Sequence, residues 1–402
     1  GIRDKLVTGV QTCALPISTF GGAHQGNSVA LSADGNTAIL GGYADDGGVG
    51  AAWVFTRTGT TWSQQGQKLV GSNAVGASWQ GYSVALSADG NTAIVGGYQD
   101  DAQNGAVWIF TRTAGVWSQQ GPKLVADDAV GPAQQGWSVA LSADGDTALV
   151  GGPNDGTFVG STWVYTRSGA VWTRQTRLRA TSSQVQQGKS VSLSADGNTA
   201  IIGATAENSG VGAAFVFTRT NGAWSAQASK LTGTGAVGNS TQGTAVSLSA
   251  SGDKAIVAGS GDATALGAVW VFTRSGGVWT QQGAKLTGSG ATAFPRFGHS
   301  AAISADGNTV AVGGPFDGTQ TGAAFIFTRS GSTWTQQGAK LIGSGATGSA
   351  QQGTSVALSS DGNTLAIGGK TDNTNAGAVW VFTRSSGAWT QQRSEEHTSE
   401  LQ

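Results

Sequence analysis

The chain has 402 residues, of which 11% are charged, with a net charge of −1, 66 glycines and 14 tryptophans. A near-neutral balance lacks the basic face that nucleic-acid binding needs. No run approaches the ~18 apolar residues of a membrane-spanning helix, and abundant aromatics at low charge exclude a disordered polymer. The length suits two or three domains or one large repeat fold. A single cysteine, Cys13, gives neither a disulfide framework nor a zinc site. Met is absent, so the chain lacks its own start, and the missing signal peptide carries no message.

The first 17 residues differ in character from the rest of the chain. The stretch "GVQTCALPI", Gly9 to Ile17, and the closing "RSEEHTSELQ" can be encoded by opposite strands of one oligonucleotide. Both resemble a common short-read sequencing adapter. Residues 1–17 and 393–402 are therefore expected to be non-biological, and Cys13 and His397 are given no role. The chain is expected to be a fragment of a larger polypeptide, its last repeat truncated.

From residue 18 to 392 one unit recurs. "SVALSADGNTAIVGG" places its turn at Asp34, Asp89, Asp144, Asp196, Ser251, Asp306 and Asp361, at spacings of 55, 55, 52, 55, 55 and 55. A second anchor, "FTR" or "YTR", repeats the same spacings. Self-similarity at constant period marks a repeat architecture. In the second unit the strands read as Ser83–Ser87, Thr92–Tyr98, Ala106–Arg112 and Val116–Gln120, the last reaching toward Lys123-Leu124. Short Val/Ile/Phe/Trp runs bounded by Gly, Asp and Asn are strand signals. The third run is apolar at consecutive positions, as in a strand covered on both faces. "SADGNTA" puts Asp-Gly between the first two strands, where positive φ is expected, and "SGG" joins the third to the fourth. An Arg and a Trp recur five residues apart, as in Arg57/Trp62, Arg112/Trp117 and Arg274/Trp279. Across that hairpin they predict a structural cation–π pair. Seven four-stranded antiparallel units predict an all-β, seven-bladed β-propeller, whose radial closure leaves few exposed edges.

The sixth unit, "FGHSAAISADGNTVAVGGP" from Phe297 to Pro315, resembles the FG-GAP repeat of integrin α-subunit propellers and their bacterial relatives. Elsewhere the Phe-Gly reads Gln-Gly, as at Gln80-Gly81, Gln135-Gly136 and Gln352-Gly353. The resemblance implies a propeller that binds extracellular partners. Its calcium sites are not carried over: the family's Asp-rich loop is here the short "SADGNT", and a calcium cage needs about six to eight oxygens.

Tracing one unit places all tight hairpins on one face of the ring. The strand-one entries and second-to-third links lie on the other. That entry face varies. The residue after the Gln-Gly or Phe-Gly glycine is Asn27, Tyr82, Trp137, Lys189, Thr244, His299 and Thr354 in turn. With the first strand innermost, these ring the channel mouth and, with Trp79, are the candidate ligand-binding residues. The links are rich in Asp and Asn, which suit turns; Asp45-Asp46 and Asp100-Asp101 are the weak calcium candidates.

No catalytic residue or cofactor is assigned. His24 and His299 lie outside the repeated consensus, and no Ser-His-Asp order or HExxH is visible. "GGKTD" at Gly368–Asp372 lacks the earlier glycine of a phosphate loop. The expected function is a non-enzymatic, extracellular or cell-surface scaffold for adhesion or ligand binding, without membrane insertion. Its partner is expected to be an extracellular protein or glycan. The alternatives are a lectin-like propeller, supported by Trp79, Tyr82 and Trp137, and an enzyme of the lyase or hydrolase type.

Overall fold

The structure, a computed structural model, describes residues 22–180 and 183–394. Cys13 and His397 lie outside them. Each repeat folds into one antiparallel blade with its strands in chain order, and seven blades form the ring. In the second blade the strands are Ser83–Leu86, Thr92–Gly97, Ala106–Thr113 and Val116–Gln119. The first strand of every blade is innermost and touches the first strands of both neighbours.

The apolar patterning explains the stacking. Ala106 to Phe110 are all buried, because alternate residues of the third strand face opposite neighbouring blades. Each hydrophobic cluster accordingly joins two blades. Trp108 and Phe110 pack with Ile39 and Val54 of the blade before. The same seal unites blade seven with blade one, where Val379 and Val381 meet Trp53 and Phe55.

The fourth strand resolves the open reach toward Leu124. It breaks after Gln119 and resumes as a single bridge between Leu124 and Val107. In the third blade, where the repeat is shorter, it runs unbroken over Val171–Leu178, with a register shift at Val164/Tyr165.

The "SADGN" connection differs from the expected two-residue turn. It spans Ser32 to Asn36, and only Gly35, at φ 67°, takes positive φ there. Asp34 stays out of the left-handed region because its carboxylate organises the loop. Oδ1 accepts from Ser32 Oγ at 2.5 Å and Asn36 N at 2.9 Å, and Oδ2 accepts from Asn36 Nδ2. Asn36 Oδ1 in turn accepts from Arg57 Nε at 2.9 Å. Burial alone would raise the Asp34 carboxyl, but these hydrogen bonds and the Arg57 charge hold it below its ordinary value.

The Arg–Trp pairs form as expected. Arg274 is registered opposite Trp279, and its guanidinium carbon lies 5.4 Å from the ring. Arg57 over Trp62 and Arg112 over Trp117 match it. The device also links blades. Arg112 reaches Thr37 Oγ1 of the blade before, and Trp117 Nε1 donates to Gln65 Oε1 at 3.0 Å. Arg329 departs from the pattern. Lys254 stands at the position of the threonine it would reach, an ammonium instead of an acceptor, and Arg329 bonds Asn308 and the Gly331 carbonyl.

The ring closes on itself at the hairpin face. Ala33 N donates to Ala88 O, Ala88 to Ala143, Ala143 to Ala195, Ala195 to Ala250, Ala250 to Ala305, Ala305 to Ser360, and Ser360 back to Ala33. These bonds are 2.9–3.0 Å long. Farther out, Arg393–Ser394 pairs in parallel with Thr61–Trp62 of blade one.

Candidate functional site

Each innermost strand is delivered by a turn that presents side chains to the channel. The residue before the Gln-Gly or Phe-Gly pair is left-handed in all seven blades. His24, Trp79, Gln134, Gln186, Thr241, Arg296 and Gln351 have φ between 51° and 59°, a conformation non-glycine residues rarely adopt. The fold enforces it through the previous blade. Trp79 N donates to Gly48 O and Gln80 N to Val49 O, at 2.9 and 3.0 Å.

The Gln itself is structural. Gln80 is fully buried, and its Oε1 accepts from Gly71 N while Nε2 donates to Gly71 O. At Phe297 a ring replaces that amide, lying 5.3 Å from Phe325 and 5.9 Å from Phe327. The glycine that follows, such as Gly81 at φ 84°, lets the strand pass close beneath the preceding blade; a Cβ there would sit 2.2 Å from Ala51 O. Gln25, Trp53 and Asp45 keep buried polar atoms without partners among the described residues. By the repeat, the positions equivalent to their partners in other blades fall before residue 22.

The seven residues after that glycine stand at the entry ends of the innermost strands and are of two kinds. Three are engaged within the scaffold. Asn27 Nδ2 donates to Tyr82 O of the next blade at 2.9 Å, and the Thr244 and Thr354 hydroxyls donate to the carbonyls of Thr241 and Gln351 in their own turns. Of the other four, Tyr82 and Trp137 join Trp79 and two side chains that the sequence pattern did not single out, Tyr43 and Tyr98. Tyr82 packs on Tyr98 at 4.5 Å and Trp137 at 5.0 Å; Tyr98 lies 4.6 Å from Trp137 and 5.4 Å from Trp79. Tyr43 continues the belt to Trp79 at 4.9 Å and stacks on His24 at 5.1 Å. The result is a continuous aromatic belt over blades one to three. Lys189 ends it, its Nζ 3.8 Å from the Trp137 ring centre.

The far side of the mouth is cationic. His299 is partly buried at the entry end of its innermost strand. Burial first, then the charges of Lys370, Arg296 and Lys189, lowers its pKa to about 4, so the imidazole is neutral at pH 7. Burial lowers Lys189 to about 8 and also lowers Lys370. Arg296 lies over Phe316 at 4.8 Å. His24 Nδ1 lies 3.2 Å from the Lys370 carbonyl, which brings blade seven to the aromatic belt.

Tyr43, Tyr98 and Lys370 belong to a third variable ring, the residue after the "GG" or its equivalent that closes each second strand: Tyr43, Tyr98, Pro153, Thr205, Ser260, Pro315 and Lys370. Lys370 is the lysine of "GGKTD", here one member of this ring.

The link aspartates have a different place. Asp100 is fully buried, its Oδ2 2.5 Å from Lys123 Nζ and its Oδ1 accepting from Val75 N at 2.7 Å. Asp45 is likewise buried against Lys68 at 2.5 Å. Asp46 and Asp101 are exposed, so neighbouring carboxylates point apart. Among the described residues no group of three or more His, Cys, Asp or Glu is arranged to hold a metal. No helix among them is long and apolar enough to cross a membrane.

Comparison with known proteins supports the repeat and the ring. A family model described as FG-GAP repeat matches residues 279–327, from the last strand of blade five through the third strand of blade six. No curated protein matches the chain. Solved structures that match the chain include 653 chains. One is a Bacteroides uniformis protein described as a candidate 6-phosphogluconolactonase. It is 11% identical, with a TM-score of 0.55, over 82% of this chain and 88% of that one. At such identity the likeness concerns the fold alone, which hosts many functions.

Proposed function

We propose, starting from a seven-bladed propeller that carries the FG-GAP repeat, that this protein is an extracellular or cell-surface binding scaffold that captures its ligand at the entry mouth of the channel. One observation carries the reading. Repeats that agree at nearly every hairpin and core position diverge in the three rings facing the mouth, and there they gather six ring side chains into one surface. A concave site lined by aromatics with a few polar groups is what a small ligand or a glycan end requires.

A lectin-like activity is the second reading, favoured by the aromatic belt of Tyr43, Trp79, Tyr82, Tyr98 and Trp137. A lyase or hydrolase remains the third reading, with His299 and Lys189 as the groups of acid–base type at the mouth. A glycan array and a panel of extracellular-matrix proteins, probed with the native chain and with Trp79→Ala, test the proposal. The expected result is a ligand whose signal falls in the variant while the unfolding midpoint stays within a few degrees. A ligand retained fully by Trp79→Ala and by Tyr82→Ala would move the site elsewhere.

A further inference from the structure

The three rings at the mouth hold twenty-one residues, and none is Asp or Glu. They do hold Lys189, Arg296 and Lys370. Among the described lysines Lys189 and Lys370 alone have no carboxylate within ion-pair distance, and Lys189 over Trp137 and Arg296 over Phe316 share the aromatic contact of the third-strand arginines. Lys68, Lys123, Lys285 and Lys340 are paired with link aspartates, and Lys230 with Glu207. Arg174, Arg177 and Arg179 are paired with Asp127, Asp128 and Asp155, and Lys254 with Asp253. The arginines of the third strands lie over tryptophans, with Arg329 bonded to Asn308. For Lys189, Arg296 and Lys370 no carboxylate lies within ion-pair distance among the described residues, and two of them are partly withdrawn from water.

We infer that the mouth binds an anionic saccharide, its sugar face stacked on the part-exposed rings of Trp79 and Trp137, which the buried Tyr98 backs, and its acidic group turned toward Lys189, Arg296 and Lys370. This rests on the reading that the mouth is the ligand site. Partly buried cations without counter-ions are costly unless something supplies the charge. A saccharide fits the rest of the surface. The aromatic belt suits the apolar face of a pyranose. Ser260 and the atoms left free on Gln186, Thr205 and Gln351, whose other contacts lie within the scaffold, add amides and hydroxyls of the kind that match sugar hydroxyls. His299, neutral at pH 7, can donate or accept a hydrogen bond without adding charge to a crowded cationic site. Lys189 joins the two halves, because its ammonium rests on Trp137 and a bound anion beside that ring would contact both.

The test is calorimetric titration of the full chain with tetragalacturonate, its methyl ester and a sulfated tetrasaccharide, alongside the glycan array. Tetragalacturonate is expected to bind at least about tenfold tighter than its ester, in keeping with charge-assisted hydrogen bonds, and to weaken as salt rises. Preference for the sulfated sugar over the carboxylate would assign the acidic group as sulfate and still support the inference. The double variant Lys189→Gln/Lys370→Gln is expected to erase the difference between acid and ester, and Lys189→Arg to retain it. Equal binding of acid, ester and sulfated sugar, or an acid preference untouched in the double variant, overturns the anionic assignment and leaves the binding scaffold standing. Silence of every acidic and neutral glycan, together with every matrix protein, fails the scaffold reading itself.

Discussion

The same seven innermost strands build both ends of the channel, and the ends have opposite characters. At the hairpin end Leu31, Leu86, Leu141, Leu193, Leu248, Ile303 and Leu358 surround a shallow cavity of about 190 Å³ below a closed circle of backbone hydrogen bonds. At the entry end no two neighbouring blades present the same set of side chains. The difference follows from where the backbone bonds go. A hairpin residue such as Ala88 bonds both neighbouring blades through its own main chain, so its side chain must be small and the sequence is constrained. The entry turn is held through Gln80 and the preceding link, and this frees Trp79 and Tyr82 to vary. Uniformity marks the end that closes the ring; divergence marks the end available to a ligand.

The comparison breaks most sharply where blades meet. Gly96→Val would place a Cβ 2.3 Å from Gly136 O and from Ser83 Oγ. It should cost about 4 kcal/mol or more, read as loss of the cooperative transition in thermal unfolding. Lys370→Gln at the mouth, which removes a partly buried charge without a counter-ion, should leave stability unchanged or raise it slightly. If both substitutions cost alike, the mouth is as structural as the seams.

The links give the next largest effect. Asp100→Asn leaves Lys123 without its buried partner and should cost about 3 kcal/mol, while Asp101→Asn next to it should change the denaturant midpoint little. Calcium should not rescue the first variant. A calcium-dependent rise in the midpoint of the parent would instead return the link carboxylates to the metal-site candidates.

The mouth should show itself in the pH dependence of stability. His299 titrates near pH 4 when folded, against an ordinary 6.5, so between those values the unfolded chain binds more protons and stability falls as pH falls. His299→Gln should flatten that limb by on the order of 2 kcal/mol. Lys189, near 8 against 10.5, makes stability rise with pH from about 8 upward, and Lys189→Gln should remove the rise. Denaturant titrations from pH 4 to 10 measure both limbs, and unchanged limbs would place these groups in open water.

The smallest effect concerns the one irregular seam. Lys254→Thr restores the acceptor that the other arginines use, and Arg329 should then settle over Trp334. A gain of about 0.5–1 kcal/mol is expected, the size of an exposed cation–π contact. Trp334→Ala made in both backgrounds should couple to Arg329 only in the Lys254→Thr background.

The sequence by itself determined the ring. Period 55, a third strand apolar at consecutive positions, and an Arg five residues before a Trp leave one arrangement that buries both faces of each blade and closes the edges. It also marked Tyr82, Trp137, Lys189 and His299 as mouth candidates, because repeats that agree elsewhere diverge at the position they share. It did not separate those four from Asn27, Thr244 and Thr354, since an amide or hydroxyl looks equally available until its backbone partner is located. Only the tertiary structure decided that. It also brought Tyr43, Tyr98 and Lys370 from another strand end, and Arg296 from the left-handed turns, to the same opening. It gave Asp45 and Asp100 to Lys68 and Lys123, carboxylates and ammoniums 23 residues apart in the chain. Local pattern fixes which strands form and which faces are apolar. Whether a polar side chain is a bond within the ring or a free group at its mouth depends on contacts between blades, and those exist only once the ring has closed.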